Sequence, residues 1–246
     1  MRTLQPGALT IITAYPDPPF DIMRGDVATG FDVELMRAVC GHLSLELRSL
    51  AYEGEDFNGI FKSLETGGCD AVISGTTITP DRAEIALFSA PYLEFNQGIA
   101  VNRLLTPNVA TTEDLHGLTA GIQKGNTSDF VARQLMEQGR IAGIRYYPYN
   151  GIGDALDDLE AGRIGLVIKL FPVISALTAD RPKLAVALQA PTHEKLGIAY
   201  GKDRTDLRDS VDAAIVTLRK SGEFAKLEAQ WLGAAAAHGA AGGAGS

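Results

Sequence analysis

Residues 70–92 read DAVISGTTITPDRAEIALFSAPY. Asp70 to Ser74 is a short apolar run of the kind that forms a buried parallel strand. Gly75, Thr76 and Thr77 follow at its carboxyl end with backbone N–H groups and hydroxyls. Thr79-Pro80-Asp81-Arg82 then has the form of an N-cap, a proline at the first helical position and a first helical turn that carries Arg82. A strand end, a helix start and a guanidinium in so few residues suit a carboxylate, because the arginine fork donates two parallel hydrogen bonds. An arginine in a surface ion pair with Asp81 or Glu84 is the plainer alternative.

Outward from that stretch the chain alternates strands and helices. LTIIT (9–13) forms a first strand, followed by the proline-stiffened loop AYPDPPF (14–20) that holds up Tyr15 and Asp17. Gly30-Phe31-Asp32 opens a helix with Leu35, Val39 and Leu43 at helical spacing. Residues 45–50 form the next strand and 57–66 a second helix, ended by Gly67-Gly68. The order β-α-β-α-β implies an α/β fold with a mainly parallel sheet, in which ligands meet the carboxyl ends of strands. The polar stretch from Asn102 to Thr112 suits a crossing into a second α/β pattern. There 118–122, 144–147 and 164–168 are strands, 129–138 and 152–161 helices, and a further helix begins near Pro172. A return crossing runs through 183–200 with the polar PTHEK segment (191–195) between two extended runs. Thr205 caps a helix that Gly222 ends, and a last short helix carries Trp231. The Ala/Gly-rich tail from Ala234 to Ser246 reads as disordered.

Composition narrows the function. The 246 residues are 46% hydrophobic and 21% charged, which suffices for one large or two small globular domains. A net charge of −8 argues against nucleic acid or an anionic membrane as partner. No apolar run is long enough to span a membrane. The opening MRTLQPGALTIITAY lacks the basic and apolar regions of an export signal, so an exported protein would have lost it. His42, His116, His193 and His238 have no metal-ligand spacing, and no nucleophilic triad or phosphate loop stands out. No metal and no cofactor are therefore expected; His193 is the one histidine that could lie near a ligand, and a solvated loop histidine is its favoured reading.

Taken together, PPF (18–20), GFD (30–32), DFNGIFKSL (56–64), CDAVISGTTITPDR, FSAPY (88–92), LGIAYGKD and GEFAKLEAQWLG resemble, from Leu9 to Gly233, the extracellular solute-binding proteins of the polar-amino-acid type that serve ABC importers. The resemblance implies a type II periplasmic-binding-protein fold, the Venus flytrap. Its lobe I would comprise 1–100 plus 196–233 and its lobe II 101–195, with hinge strands near 98–102 and 185–200. It also implies a monomer in the periplasm or extracellular space, partnered by a small carboxylate-bearing ligand and a membrane ABC permease. By residue-to-residue resemblance Arg82 would clamp the carboxylate, Thr77 and the Gly75 backbone would complete the first-lobe site, and Phe57 would form an apolar wall. Gly125-Asn126-Thr127 would meet the same carboxylate from the second lobe. An exported protein meets an oxidising compartment, which favours a disulfide between Cys40 and Cys69 over two buried free thiols.

One departure from the resemblance matters. Where such proteins usually carry an aspartate for the ligand's α-ammonium, this chain has Leu170, preceded by Lys169. Either Asp17 takes the ammonium, with Tyr15 as an aromatic wall, or the ammonium is absent and Lys169 recognises a second polar or acidic group. Dehydratases on the same fold place a glutamate where Val173 stands here, so no enzyme is expected. A ligand-sensing receptor domain is the remaining alternative to importer delivery.

Overall fold

The computed structural model describes residues 2–233, so the tail expected to be disordered lies outside the described residues. The described chain divides into two compact units, one of residues 2–53, 60–94 and 194–233, the other of Gly54–Gly59 and Phe95–His193.

In the first unit, β1 (Ala8–Ala14) is buried along its whole length. A hairpin of β2 (Ile22–Arg24) and β3 (Val27–Thr29), unforeseen in the sequence, precedes α1 (Phe31–Leu43) and β4 (Glu46–Tyr52). The expected helix over 57–66 is instead a 3-10 turn, Phe57–Phe61, running into the single turn α2 (Lys62–Glu65). The strand expected over 70–74 is only β5 (Ala71–Val72), because Ser74 and Gly75 are drawn off into side-chain bonds with buried aspartates. Then come α3 (Pro80–Ile85) and β6 (Leu87–Phe88). β1 lies between β4 and β5, parallel to both.

The chain leaves this unit inside β7 (Leu93–Asn102), one unbroken strand. The polar stretch after Asn102, read as the crossing, belongs wholly to the second unit. Its proline and polar residues mark the end of a strand, not a division between units. The second unit continues through β8 (Thr119–Gln123), α4 (Ser128–Glu137), β9 (Gly143–Tyr147), α5 (Ile152–Glu160), β10 (Leu166–Leu170) and α6 (Phe171–Thr178) to β11 (Leu184–Leu196). The sheet order is β11-β7-β10-β8-β9, with β8 parallel to β9 and β10, and β7 antiparallel to β10. One face packs Val131 and Leu135 of α4 against Ile122 and Ile168, while the other packs Ile152, Leu156 and Leu159 of α5 against Val167. β11 runs straight through the PTHEK segment, so that segment is strand and not the loop its polarity suggested.

Back in the first unit, β12 (Ala199–Tyr200) inserts antiparallel between β5 and β6, followed by α7 (Thr205–Ser221) and α8 (Glu223–Trp231). Thr205 is the first residue of α7 and not its cap, which is Arg204. Gly222 separates the two helices at φ 80, a left-handed conformation that glycine adopts without steric cost. Phe31 anchors the core, its ring 6.4 Å from Phe20, 6.2 Å from Tyr92 and 5.7 Å from Phe224. Cys40 and Cys69 are both buried free thiols, which corrects the expected disulfide. Each is accommodated as a small apolar side chain, and burial pushes the two thiols up to about 11 and about 12.

Two glycines of the α1 region should respond oppositely to alanine. Gly30 has φ 113, and a Cβ there would lie 2.2 Å from the Phe20 carbonyl oxygen. Gly41 lies inside the helix with open space around it. Gly30→Ala is expected to cost about 2–4 kcal/mol in urea unfolding. Gly41→Ala is expected to stabilise by about 0.5–1 kcal/mol.

Candidate functional site

In the first unit the loop after β5 is held from below by carboxylates. Asp32, fully buried at the start of α1, accepts the Gly75 N–H at 2.6 Å through one oxygen and the Tyr92 hydroxyl at 2.9 Å through the other. The Ser74 hydroxyl donates to Asp21 at 2.7 Å. Burial raises the Asp32 carboxyl to about 7 and pushes Asp21 well above the usual carboxylate range. The Gly75 amide, expected to meet the ligand, is therefore directed inward to Asp32, because a buried carboxylate needs a donor.

Thr77 lies in the segment after β5 and Arg82 in the first turn of α3. The Thr79 hydroxyl accepts the Arg82 N–H at 3.3 Å with Pro80 at the first helical position, so the predicted cap forms. The Arg82 side chain is buried, whereas Asp81 and Glu84, offered as surface ion-pair partners, are exposed. Its Nη1 donates to the Thr77 carbonyl at 2.9 Å, and its guanidinium carbon lies 5.5 Å from the Phe61 ring centroid. The Thr77 hydroxyl donates to Glu194 Oε2 at 2.5 Å. Asp17, one candidate for a ligand ammonium, is buried in a tight bend in which its N–H donates to the Asp21 carbonyl at 2.9 Å. Tyr15 is held by a 3.1 Å hydroxyl contact with Ser49, and burial raises its phenol to about 12.

In the second unit the expected residues gather around one that the sequence reading passed over, Gln123. Lys169 is buried and donates to Gln123 Oε1 at 2.6 Å. Asn126 Nδ2 reaches the same oxygen at 3.3 Å, and the Gln123 amide nitrogen donates to the Tyr149 carbonyl. The Lys169 ammonium also lies 5.3 Å from the Tyr149 ring centroid, within range of a cation–π attraction. The Phe57 ring is 5.1 Å from that of Tyr149. Thr127 caps α4 and accepts from Gln97 Nε2 at 3.2 Å. Leu170 is a buried apolar side chain at the carboxyl end of β10, as an unpaired leucine should be.

The short segment Gly54–Gly59 belongs to this unit although its sequence neighbours belong to the first. Phe57 N–H donates to the Lys124 carbonyl at 3.1 Å and Tyr149 N–H to the Glu55 carbonyl at 2.7 Å. A Cβ on Gly125, at φ 79, would fall 2.2 Å from Asp56 Oδ1. Glycine is thus required in the turn for close approach as well as for backbone conformation. His193 is exposed, in keeping with the favoured solvated reading although it lies in a strand and not a loop, and its N–H bonds to Asn96 at 3.1 Å. Among the described residues no group of three or more His, Cys, Asp or Glu could hold a metal ion, and no helix is long and apolar enough to cross a membrane.

Two α/β units, with a buried arginine in one and a buried polar cluster in the other, have the type II periplasmic-binding-protein fold of a solute-binding protein. The model of bacterial extracellular solute-binding proteins, family 3, matches residues 9–234, and the chain belongs to that family. ABC transporter arginine-binding protein 1 of Escherichia coli (strain K12) is 29% identical over 221 residues, covering 87% of this chain and 86% of the relative. A solved structure of an ancestral arginine-binding protein bound to arginine superposes with a TM-score of 0.82 at 28% identity, covering 92% of this chain and 99% of the other. The ancestral amino acid-binding protein AncCDT-1, described as a precursor of cyclohexadienyl dehydratase, superposes at 0.81 with 29% identity, covering 92% and 96%. The relatives are amino-acid-binding components of ABC transporters, and the chain is a binding protein rather than an enzyme. Val173, where the dehydratase resemblance would need a glutamate, is a buried valine.

The raised Asp32 fixes the sign of a pH effect. Between the unfolded carboxylate value of roughly 3.9 and the folded value of about 7, the folded state keeps a proton that the unfolded chain has released. Stability must therefore fall as pH rises through that window. Melting curves should show a higher midpoint at pH 5.5 than at pH 8, and Asp32→Asn, which mimics the protonated acid, should flatten that difference.

Proposed function

We propose that this protein captures a small carboxylate-bearing solute, an amino acid or a related organic acid, outside the cytoplasm and delivers it to the permease of an ABC importer. The observation that carries the reading is the buried Arg82, fixed by the Thr77 carbonyl at the end of a short helix. A guanidinium is always charged and presents its donors in a planar fork that matches a carboxylate. Holding it rigid and out of bulk water before the ligand arrives lowers the ordering cost of binding.

The second unit supports the same reading with the Asn126–Thr127 turn at the start of α4, and with the mutually tilted rings of Phe57 and Tyr149 as apolar surface. Lys169, fixed by Gln123, is placed to recognise a polar or acidic group at the far end of the solute. Ligand-driven closure of the two units belongs to this proposal, since a ligand that binds the closed form better must shift the population toward it.

A melting-temperature screen over the L-amino acids, simple amines and mono- and dicarboxylates tests the proposal, because a ligand of the folded state alone raises the midpoint. Carboxylate-bearing compounds should give the shifts and simple amines none. In calorimetry with the compound giving the largest shift, Arg82→Ala should weaken binding roughly 10–100-fold, the loss of a charge-assisted contact of about 1.5–3 kcal/mol. A change of less than about threefold would remove Arg82 from the site and the reading with it.

A further inference from the structure

Glu194 is the first residue of the first unit after the chain leaves the second. Along the end of β11 the side chains alternate, with Glu194 and Leu196 buried and His193 and Lys195 exposed. The glutamate's inward direction is thus a property of the strand and not a rotamer accident. Main-chain bonds set the strand's position beside residues 76–78. Thr77 and Leu196 form an antiparallel bridge, Ile78 N–H donates to the Lys195 carbonyl at 2.8 Å, and Gly197 N–H donates to the Thr76 carbonyl at 2.9 Å.

Thr77 consequently has a charged group fixed to each of its two polar ends. Its carbonyl accepts from Arg82 Nη1 at 2.9 Å, and its hydroxyl donates to Glu194 Oε2 at 2.5 Å. Both charged side chains are more than nine-tenths buried, Arg82 at 6% exposure and Glu194 at 8%. A buried cation and a buried anion held one residue apart form a dipolar receptor. The solute group that complements it has a carboxylate and an ammonium on one carbon.

We infer that Glu194 is the specificity-determining residue of the site, binding the α-ammonium of a zwitterionic amino acid while Arg82 binds its carboxylate. The inference rests on the carboxylate role of Arg82 proposed above and deepens it. It removes the difficulty raised by Leu170, since the anion missing from the end of β10 is supplied from the end of β11. It also leaves no need for Asp17 in that role. A desolvated ammonium is costly unless a carboxylate meets it, so the residue that supplies the carboxylate selects for the ammonium. A glutamate hydrogen-bonded by a threonine hydroxyl stays aimed without a rotamer search on binding.

The test compares each L-amino acid that shifts the melting point with its des-amino analogue, for example L-arginine with 5-guanidinopentanoate and L-glutamine with 4-carbamoylbutanoate, by calorimetry. The wild type should prefer the amino acid by 100-fold or more. Glu194→Gln keeps the acceptor for the Thr77 hydroxyl but removes the charge, and should reduce that preference to within about threefold while leaving the affinity for the des-amino acid unchanged. Glu194→Asp, which keeps the charge on a shorter stem, should retain a preference of tenfold or more and covers the case in which the Gln variant folds poorly. A merely structural glutamate would weaken both compounds alike, and that result overturns the inference. So does a wild type that binds only the des-amino acids. Failure of the Arg82 reading is distinguishable, because Arg82→Ala would then leave both affinities intact whatever Glu194→Gln does to their ratio.

Discussion

The Asp32 carboxylate joins three parts of the first unit that are far apart in sequence. It begins α1, accepts the Gly75 amide on the loop after β5 and accepts the hydroxyl of Tyr92 just before β7. A carboxylate without water must find donors, and the donors found here fix the path of the loop that presents Thr77 and Arg82. Asp21 does the same for Ser74 one residue earlier. The loop is therefore shaped from beneath by acids. The cost of burying them appears as carboxyls pushed above their usual range, which ties the rigidity of the loop to the acidity of the surroundings.

The second unit reaches a similar end by a neutral device. Gln123 ends β8 and offers one carbonyl oxygen to Lys169 and Asn126, while its amide group donates to the Tyr149 backbone. An amide can accept and donate at once, so one side chain organises the end of β8, the turn before α4, the segment after β9 and the end of β10. Lys169 brings a charge to this cluster, and its ammonium is further stabilised by the face of Tyr149.

Much of this was legible from residue type and spacing. The Thr79-Pro80 cap, the start of α4 behind Asn126-Thr127 and the two α/β repeats follow from local rules of capping and periodicity, whereas the burial of Arg82 does not. The residues that escaped are those whose role is set by a partner distant in sequence. Asp32 stands within a recognisable GFD triplet, yet nothing local indicates that its oxygens serve Gly75 and Tyr92. Glu194 lay in a segment read as a polar loop. The alternation of burial from His193 to Leu196 is a property of the folded strand, and Thr, His, Glu and Lys in succession carry no period-2 signal that would have shown it. The outward break between units was hidden for a related reason. It falls between Glu94 and Phe95 inside β7, where composition does not change, and the polar stretch after Asn102 marks only that strand's end. The return break, between His193 and Glu194, lies within the polar segment read as the return crossing. The cysteines show the limit of arguing from compartment, since an oxidising environment permits a bridge but does not bring two side chains together.

Those same cysteines have a practical consequence. A thiol reacts through its thiolate, and burial keeps both Cys40 and Cys69 protonated at any pH at which the protein would be handled. The folded chain thus offers alkylating reagents no competing nucleophile of its own sulfur. A single cysteine introduced at an exposed position, such as that of Phe130 on α4, could carry a fluorophore without removal of the native pair. With its own sulfur chemically silent, the protein is suited to conversion into an optical reporter of its solute.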